Sequence, residues 1–525
     1  MTDLPEMDVW HSKPFDVHVW SEHPKINQVV DTVYNSLTDE NQTLISGKSN
    51  NQGKASGKIH LKVVLVDLYV AWMADPLLCI GVALGNDAYK VGSRYNALHI
   101  SIRIRKVVEA LTDENFIDFK RGSYNRLGGG SGNHSSRIRA TAKLTELFLP
   151  LDIEFYELDL HHNRECIIKN NLEVDELGEP VKSPAGAKKS RPIDYNNTPE
   201  TIRMRGELTA YNDLLRETYI DIPTLEEPQI SRKRSDGKVQ YIPINQSNKF
   251  VRRVFSRNEW ELNGRYYGGW WQQIGKDYRK KISINNIPTV EVDYRGLHVA
   301  ILSAQRGATD DPVDRYDLCE LLLPQFDLKQ QRAIVKSLVL TAINAKDESA
   351  TYAAFRMDQP AGSLEKKLTN VELSKLLEAF LKRLPHMRED LCSDKGIKLM
   401  FIDSQITEQI IKIFVEHNIP ILSVHDSYIV EHTKVEMLRA AMSKATIALV
   451  GRDLAVEQKV PSFNDIMSMQ HQDRNLYLDT FSEVLTNKNK TAQYNRRFLK
   501  FMEYRKDNFQ ETYWIDKASD EQEQQ

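Results

Sequence analysis

Two aspartates 133 residues apart, Asp293 and Asp426, are the side chains of this sequence best placed to do chemistry. Asp426 lies in Ile421 to Glu431, where two apolar, β-prone runs flank a polar His425-Asp426-Ser427 step too short for a loop. That pattern predicts a tight hairpin with an acidic tip. A carboxylate on a rigid hairpin suits a hard cation such as Mg2+, which takes oxygen ligands and keeps room for substrate phosphates. Asp293 ends a stretch in which Val290 and Val292 alternate with Thr289 and Glu291, the period of a half-buried strand, and from Leu297 the apolar spacing turns helical. Between the two acids, Gln331 to Ala345 reads as a helix on which Arg332, Lys336 and Asn344 share one face by their spacing of four and eight. Cations on a helix between two acids suggest a nucleotide triphosphate.

Read together, these blocks resemble motifs A, B and C of the single-subunit polymerases, meaning the family A DNA polymerases and the related phage-type RNA polymerases. Asp293 to His298 is similar to motif A, Arg332-x3-Lys336-x7-Asn344 to motif B, and Val424 to Ser427 to motif C. Gly264 to Ile274 resembles the Gly-Arg and Gln-x-Ile elements that precede motif A in family A. The resemblance covers about residues 260–435. It implies an α+β right-hand polymerase, with a palm sheet and helical fingers and thumb, that uses two Mg2+ ions, or Mn2+ in their place, to extend a primer on DNA. Asp293, Asp426 and the carbonyl of Tyr294 are the implied metal ligands. Lys336 and Arg332 are expected to meet the triphosphate, with Lys336 as proton donor to pyrophosphate. Asn344, His298 and Tyr294 are expected beside the nucleotide, and Arg265, Gln272, Gln273, His425 and Arg279 at the primer and template.

The chain departs from the family's pattern at several positions. Asn344 stands where the family has the tyrosine that closes motif B, and Ala345 replaces the neighbouring glycine. Ser427 is the residue found in phage-type RNA polymerases, where the DNA polymerases usually have a second acid. His298 takes the place of a glutamate in the DNA polymerases and a glycine in the RNA polymerases. A bulky side chain against the sugar edge should exclude a 2′ hydroxyl, which favours deoxynucleoside triphosphates, although Asn344 could hydrogen-bond a ribose. An RNA polymerase or primase-like enzyme using NTPs is the alternative, and a DNA-binding initiator or regulator with an inactive polymerase fold is another. No paired-acid exonuclease block precedes the motifs, so proofreading is not expected. The short spacing between the two aspartates implies trimmed fingers.

Net charge is −3 over 525 residues, so nucleic-acid binding must come from local patches. Residues 230–282 hold thirteen Lys or Arg against four acids, interleaved with Phe250, Phe255, Trp260, Tyr266, Trp270 and Trp271, a mixture that suits a strand of nucleic acid. Residues 90–143 hold eleven against four. There a predicted helix, Ala97 to Leu111, a strand, Phe116 to Lys120, and a glycine-rich loop, Arg126 to His134, suggest a winged-helix-like, duplex-binding N-terminal domain over residues 1–165.

The remaining divisions follow from composition. Residues 166–200 read as a linker or exposed insertion, 201–290 as a thumb-like and palm-entry segment, and 291–460 as palm with a fingers insertion. Helices are expected at Asp314 to Leu323, Leu328 to Ala345, Ser349 to Met357 and Asn370 to Leu384, and Asp403 or Ser404 is expected to cap the helix that leads into the hairpin. Residues 461–525 read as a helical extension with a basic patch at Lys488, Lys490, Arg496, Arg497 and Lys500, then a disordered tail. Four scattered cysteines argue against a zinc site or a disulfide framework and fit a reducing cytosol. The acidic N-terminus does not resemble a signal peptide, and no apolar run reaches the roughly 20 residues that span a bilayer. The expectation is a cytoplasmic protein with no membrane partner, recruited by replication or mobile-element partner proteins.

Overall fold

Apolar side chains segregate into two large cores, one drawn from residues 19–158 and the other from 166–454. The computed structural model describes residues 5–46, 56–86, 88–123, 133–174, 180–181, 189–233, 239–308, 314–458, 467, 469–470, 474 and 490–509. The first core is built by β1 (Ser12–Pro14), α1 (Pro24–Ser36), α2 (Asp39–Ser46), α3 (Gly57–Ala74), β2 (Cys79–Val82), α4 (Ile104–Asp113), β3 (Ile117–Lys120), β4 (Ser136–Ala140) and α5 (Ala142–Phe148). Because α3 is apolar around most of its circumference, it is buried on nearly every side, with α1, α2, α4 and the β1-β2-β4-β3 sheet around it. Its one buried acid, Asp67, is paired with Lys13 of β1 and accepts the Asp16 amide at 3.2 Å. The helix expected from Ala97 begins only at Ile104. The Asn96 side chain bonds both the amide and the carbonyl of Ile100, at 2.9 and 2.8 Å, and holds a turn there instead. The glycine-rich stretch expected as a wing falls almost wholly outside the described residues.

The second core follows from β5 (Ile167–Leu172), β6 (Ser190–Pro192), α6 (Pro199–Glu217), β7 (Ile220–Asp221), β8 (Gln229–Lys233), β9 (Val239–Pro243), β10 (Val251–Phe255), β11 (Asn263–Gly268), α7 (Lys276–Arg279), β12 (Ser283–Ile284) and β13 (Ile287–Tyr294). The chain continues through α8 (Leu297–Gln305), α9 (Leu328–Asn344), α10 (Glu348–Asp358), α11 (Asn370–Arg383), α12 (Gly396–Glu416), β14 (Leu422–Val424), β15 (Ser427–Glu431), α13 (Val435–Val450), β16 (Val456–Gln458) and α14 (Ala492–Asn508). Residues 166–200, expected as a linker or exposed insertion, place β5 and β6 in a sheet of order β11-β10-β5-β6. A second sheet runs β14-β15-β13-β12-β7, with β16 also paired to β13.

Two further expected elements differ from those found. Asp314 to Leu323 is not helical, because the Asp314 and Asp317 side chains accept the amides of Tyr316 and Cys319 at 3.0 and 2.9 Å and fold the segment into turns. The helix expected to start at Asp403 or Ser404 starts at Gly396, so both residues lie mid-helix and buried. Gly396 lies under the Asn344 side chain at the end of α9, which a Cβ at 396 would have to displace.

The basic patch expected in the C-terminal extension is largely engaged. Arg497 binds Asp221 at 3.0 Å, Lys500 binds Glu154 at 2.9 Å, and Lys490 donates to Asn286 at 2.6 Å. Lys488, the tail and almost all of 461–489 lie outside the described residues. Tyr494 and Phe501 of α14 pack on Tyr219 in a small third core. Asp221 is 1% exposed, so removing Arg497 would strand a buried charge. Arg497→Ala is expected to cost about 3 kcal/mol in urea unfolding and to expose α14 to proteolysis, less so at acid pH where Asp221 can protonate.

Candidate active site

The geometry starts from β13 and β15, which pair antiparallel from Thr289 opposite Glu431 to Asp293 opposite Ser427. Val290 and Val292 face the core and leave Glu291 and Asp293 together on the other face. β14 and β15 are joined by the two residues His425 and Asp426, with His425 at φ 57°, the left-handed conformation that two-residue hairpin turns use. The Tyr294 amide reaches the Asp426 carbonyl at 3.3 Å and seats this turn against the end of β13. The hairpin is braced from below. Trp271 Nε1 and Gln272 Nε2 both donate to the Ser423 carbonyl, at 3.1 and 2.9 Å, and Tyr211 donates to the Ile421 carbonyl at 2.7 Å.

Asp293 feels the charge of Asp426. Burial pushes the Asp293 carboxyl up to about 7, and the charges of Asp426, Glu457 and Glu291 push in the same direction while Lys336 opposes them. Its Oδ1 is buried with no hydrogen-bond partner among the described residues. A carboxylate desolvated and crowded by like charges is one that a divalent cation would relieve, so the donor set fits Mg2+. Among the described residues no three His, Cys, Asp or Glu side chains gather closely enough to enclose a metal by themselves.

Two of these acids were not anticipated. Glu457 stands on β16 directly opposite Asp293, 3.9 Å from Arg295. Glu291 accepts the Ser427 hydroxyl at 2.8 Å and a two-pronged contact from Arg279 at 3.1 and 3.0 Å. Arg279, expected at the primer and template, is therefore held beside the hairpin.

On α9, Lys336 and Arg332 are both exposed. The Lys336 ammonium lies 5.9 Å from the Tyr316 ring centre, and among the described residues no ion pair holds it. Arg332 is paired with Asp314. Asn344 is the last residue of α9, exposed, with its amide donated back to the Leu340 carbonyl at 2.7 Å.

Arg265 is not a free cation. Its Nε donates to Asp403 Oδ2 at 2.5 Å and its Nη2 to His298 Nε2 at 3.0 Å. Burial and the Arg265 charge press the His298 pKa down to about 3. Asp403, anticipated only as a helix cap, is a further unforeseen group, pushed up to about 6 chiefly by burial. Gln272 turns its amide onto backbone groups, whereas Gln273 is exposed. His425 is exposed, with its ring edge-on to Tyr267 at 5.7 Å. The Tyr294 hydroxyl is buried on the Met442 carbonyl at 2.8 Å, which leaves only its backbone near the acids. Of the aromatic residues expected among the basic groups, Phe255, Tyr266, Trp270 and Trp271 are core.

No protein-family model matches the chain, and no curated protein does. Among solved structures, it is similar to the POL domain of Pol1 from M. smegmatis in complex with DNA primer-template and dNTP. That likeness covers 83% of this chain and 68% of the other, at 11% identity and a TM-score of 0.27. It is too slight to bear on function, for which the side chains themselves are the guide.

A raised carboxyl pKa means that the folded state binds the Asp293 proton more tightly than the unfolded state does. The resulting cost is absent below about pH 4 and grows as pH rises through about 7. In EDTA at pH 8, Asp293→Asn is therefore expected to melt on the order of 2 °C above the parent, with the gap closing near pH 4. Mg2+ should raise the melting temperature of the parent and leave that of the variant nearly unmoved.

Proposed function

We propose that the chain is a template-directed nucleotidyltransferase, a DNA polymerase without proofreading that extends a primer 3′ end with deoxynucleoside triphosphates. The observation that carries this reading is the meeting of Asp293 and Asp426, distant in sequence, at one end of the β13–β15 pair, with the ammonium of Lys336, which no ion pair holds among the described residues, within electrostatic reach. Asp293, Asp426 and the Tyr294 carbonyl would hold a pair of Mg2+ ions, which supply acidity to the attacking hydroxyl and charge neutralisation to the leaving pyrophosphate.

The chain's own residues do the rest. Lys336 bonds a nonbridging phosphate oxygen and gives a proton to the departing pyrophosphate. Arg332 exchanges Asp314 for the terminal phosphate, a charge-assisted contact of the same kind. His298 fills the space at the sugar edge, and Arg265 and His425 lie toward the primer end. In the N-terminal unit, Arg105 and Lys106 are exposed on α4 and support its role as a winged-helix-like module that brings the enzyme to duplex DNA, alone or with replication or mobile-element partner proteins.

Primer extension on a DNA template with Mg2+ tests the reading. Asp293→Ala and Asp426→Ala should each lose about a thousandfold or more in rate, the scale of charge stabilisation at a metal site. Lys336→Ala should lose about a hundredfold or more in kcat, and Arg332→Ala should act mainly on KM. Extension only with NTPs would favour an RNA polymerase or primase-like enzyme. No extension by the parent with any nucleotide, on DNA or RNA, would favour a DNA-binding initiator.

A further inference from the structure

α12 turns a polar face toward β10 and β11. Glu408 binds Arg253 at 2.7 Å, Ser404 accepts from Arg253 at 3.2 Å, and Asp403 binds Arg265. Asp403 is 0% exposed, and a lone carboxylate so enclosed is costly unless a cation meets it. Among the described residues it has one such partner, and its Oδ1 has none. Arg265 in turn reaches His298, which stands on the first turn of α8, just beyond Asp293.

The chemistry of this chain of contacts fixes a tautomer. A guanidinium can only donate, so His298 must accept at Nε2. The ring is neutral near pH 7. A neutral imidazole that accepts at Nε2 carries its proton on Nδ1, so the hydrogen-bonding group left to it is a donor. Arg265 holds that arrangement only as long as its own direction is set, and the group that sets it is the buried carboxylate.

We propose that Asp403 is a positioning residue that acts through Arg265 to lock His298 in its Nδ1–H form, and thereby sets which sugar the site admits. The proposal rests on the reading in which His298 lies against the sugar of the incoming nucleotide. A locked ring keeps its volume where a 2′ hydroxyl would go and offers that hydroxyl no acceptor. With Asp403 made neutral, Arg265 loses its anchor, and the ring is free to turn, exchange tautomer and accommodate ribose.

Two measurements on the full chain test this. Long-range 1H–15N spectra of protein labelled with 15N-histidine, with the His298 signals assigned by their loss in His298→Ala, should show Nδ1–H in the parent and a mixture in Asp403→Asn. The ratio of kcat/KM for dNTPs over NTPs should fall about tenfold in Asp403→Asn, a modest specificity change for a single contact. Added to His298→Ala, the same substitution should change the ratio no further. If Asp403→Asn does not fold, Arg265→Gln breaks the same contact from its more exposed end. A parent ring protonated on Nε2 overturns the proposal, as does an unchanged ratio with kcat/KM lowered equally for both sugars. A parent that extends no primer overturns the polymerase reading and the sugar role with it, whereas the spectra alone decide whether Asp403 positions the ring.

Discussion

Everything at the site depends on the register of β13 against β15. Asp293 stands opposite Ser427, so Asp426 falls at the turn immediately beyond the pair. Side chains on a strand alternate between faces, so a slip of one residue would turn Asp293 into the core and bring Val292 out. Val290 and Val292, paired with Val430 and Tyr428, fill the core in the observed pairing and hold that register. The Tyr294 amide and the Ser427 hydroxyl add directional contacts that the apolar side chains cannot.

That constraint also explains the electrostatics. Strands that bury their apolar faces so fully leave their acids on the remaining face, and β16 brings a further one opposite Asp293. The crowding raises the energy of the Asp293 carboxylate in the absence of a counterion. The cations around the site differ in how they are held. Arg279 is fixed on Glu291, Arg332 is held by Asp314, and among the described residues no ion pair holds Lys336 on α9. The same logic of paired charge runs along α12, where Asp403 and Glu408 hold Arg265 and Arg253 of the neighbouring sheet.

What could be read in advance was whatever is encoded locally. Alternation of Val290 and Val292 marked a strand, the brevity of the His425-Asp426 step marked a hairpin, and the spacing of Arg332 and Lys336 marked a helical face. Asp403 differs from expectation because an aspartate before an apolar run has the form of a cap, while α12 already starts about two turns upstream, at Gly396. Asp314 and Asp317 defeated an apolar helical pattern by bonding the backbone ahead of them. Glu457 had no local signal, since its three-residue strand exists only through pairing with β13. The Arg265–Asp403 pair joins residues 138 apart, and no sequence period connects them.

The long separation between β13 and β15 has a consequence for synthesis. At about 5–20 residues per second, a ribosome needs on the order of ten seconds to make the partner that β13 will pair with. During that interval the nascent strand offers an open edge to neighbouring chains. Pro288, Glu291 and Asp293 lie within it, and an imino acid and two negative charges are the features that discourage such pairing. Asp293, the carboxylate proposed as a metal ligand in the folded protein, would thus act earlier, with Pro288 and Glu291, as a guard against aggregation.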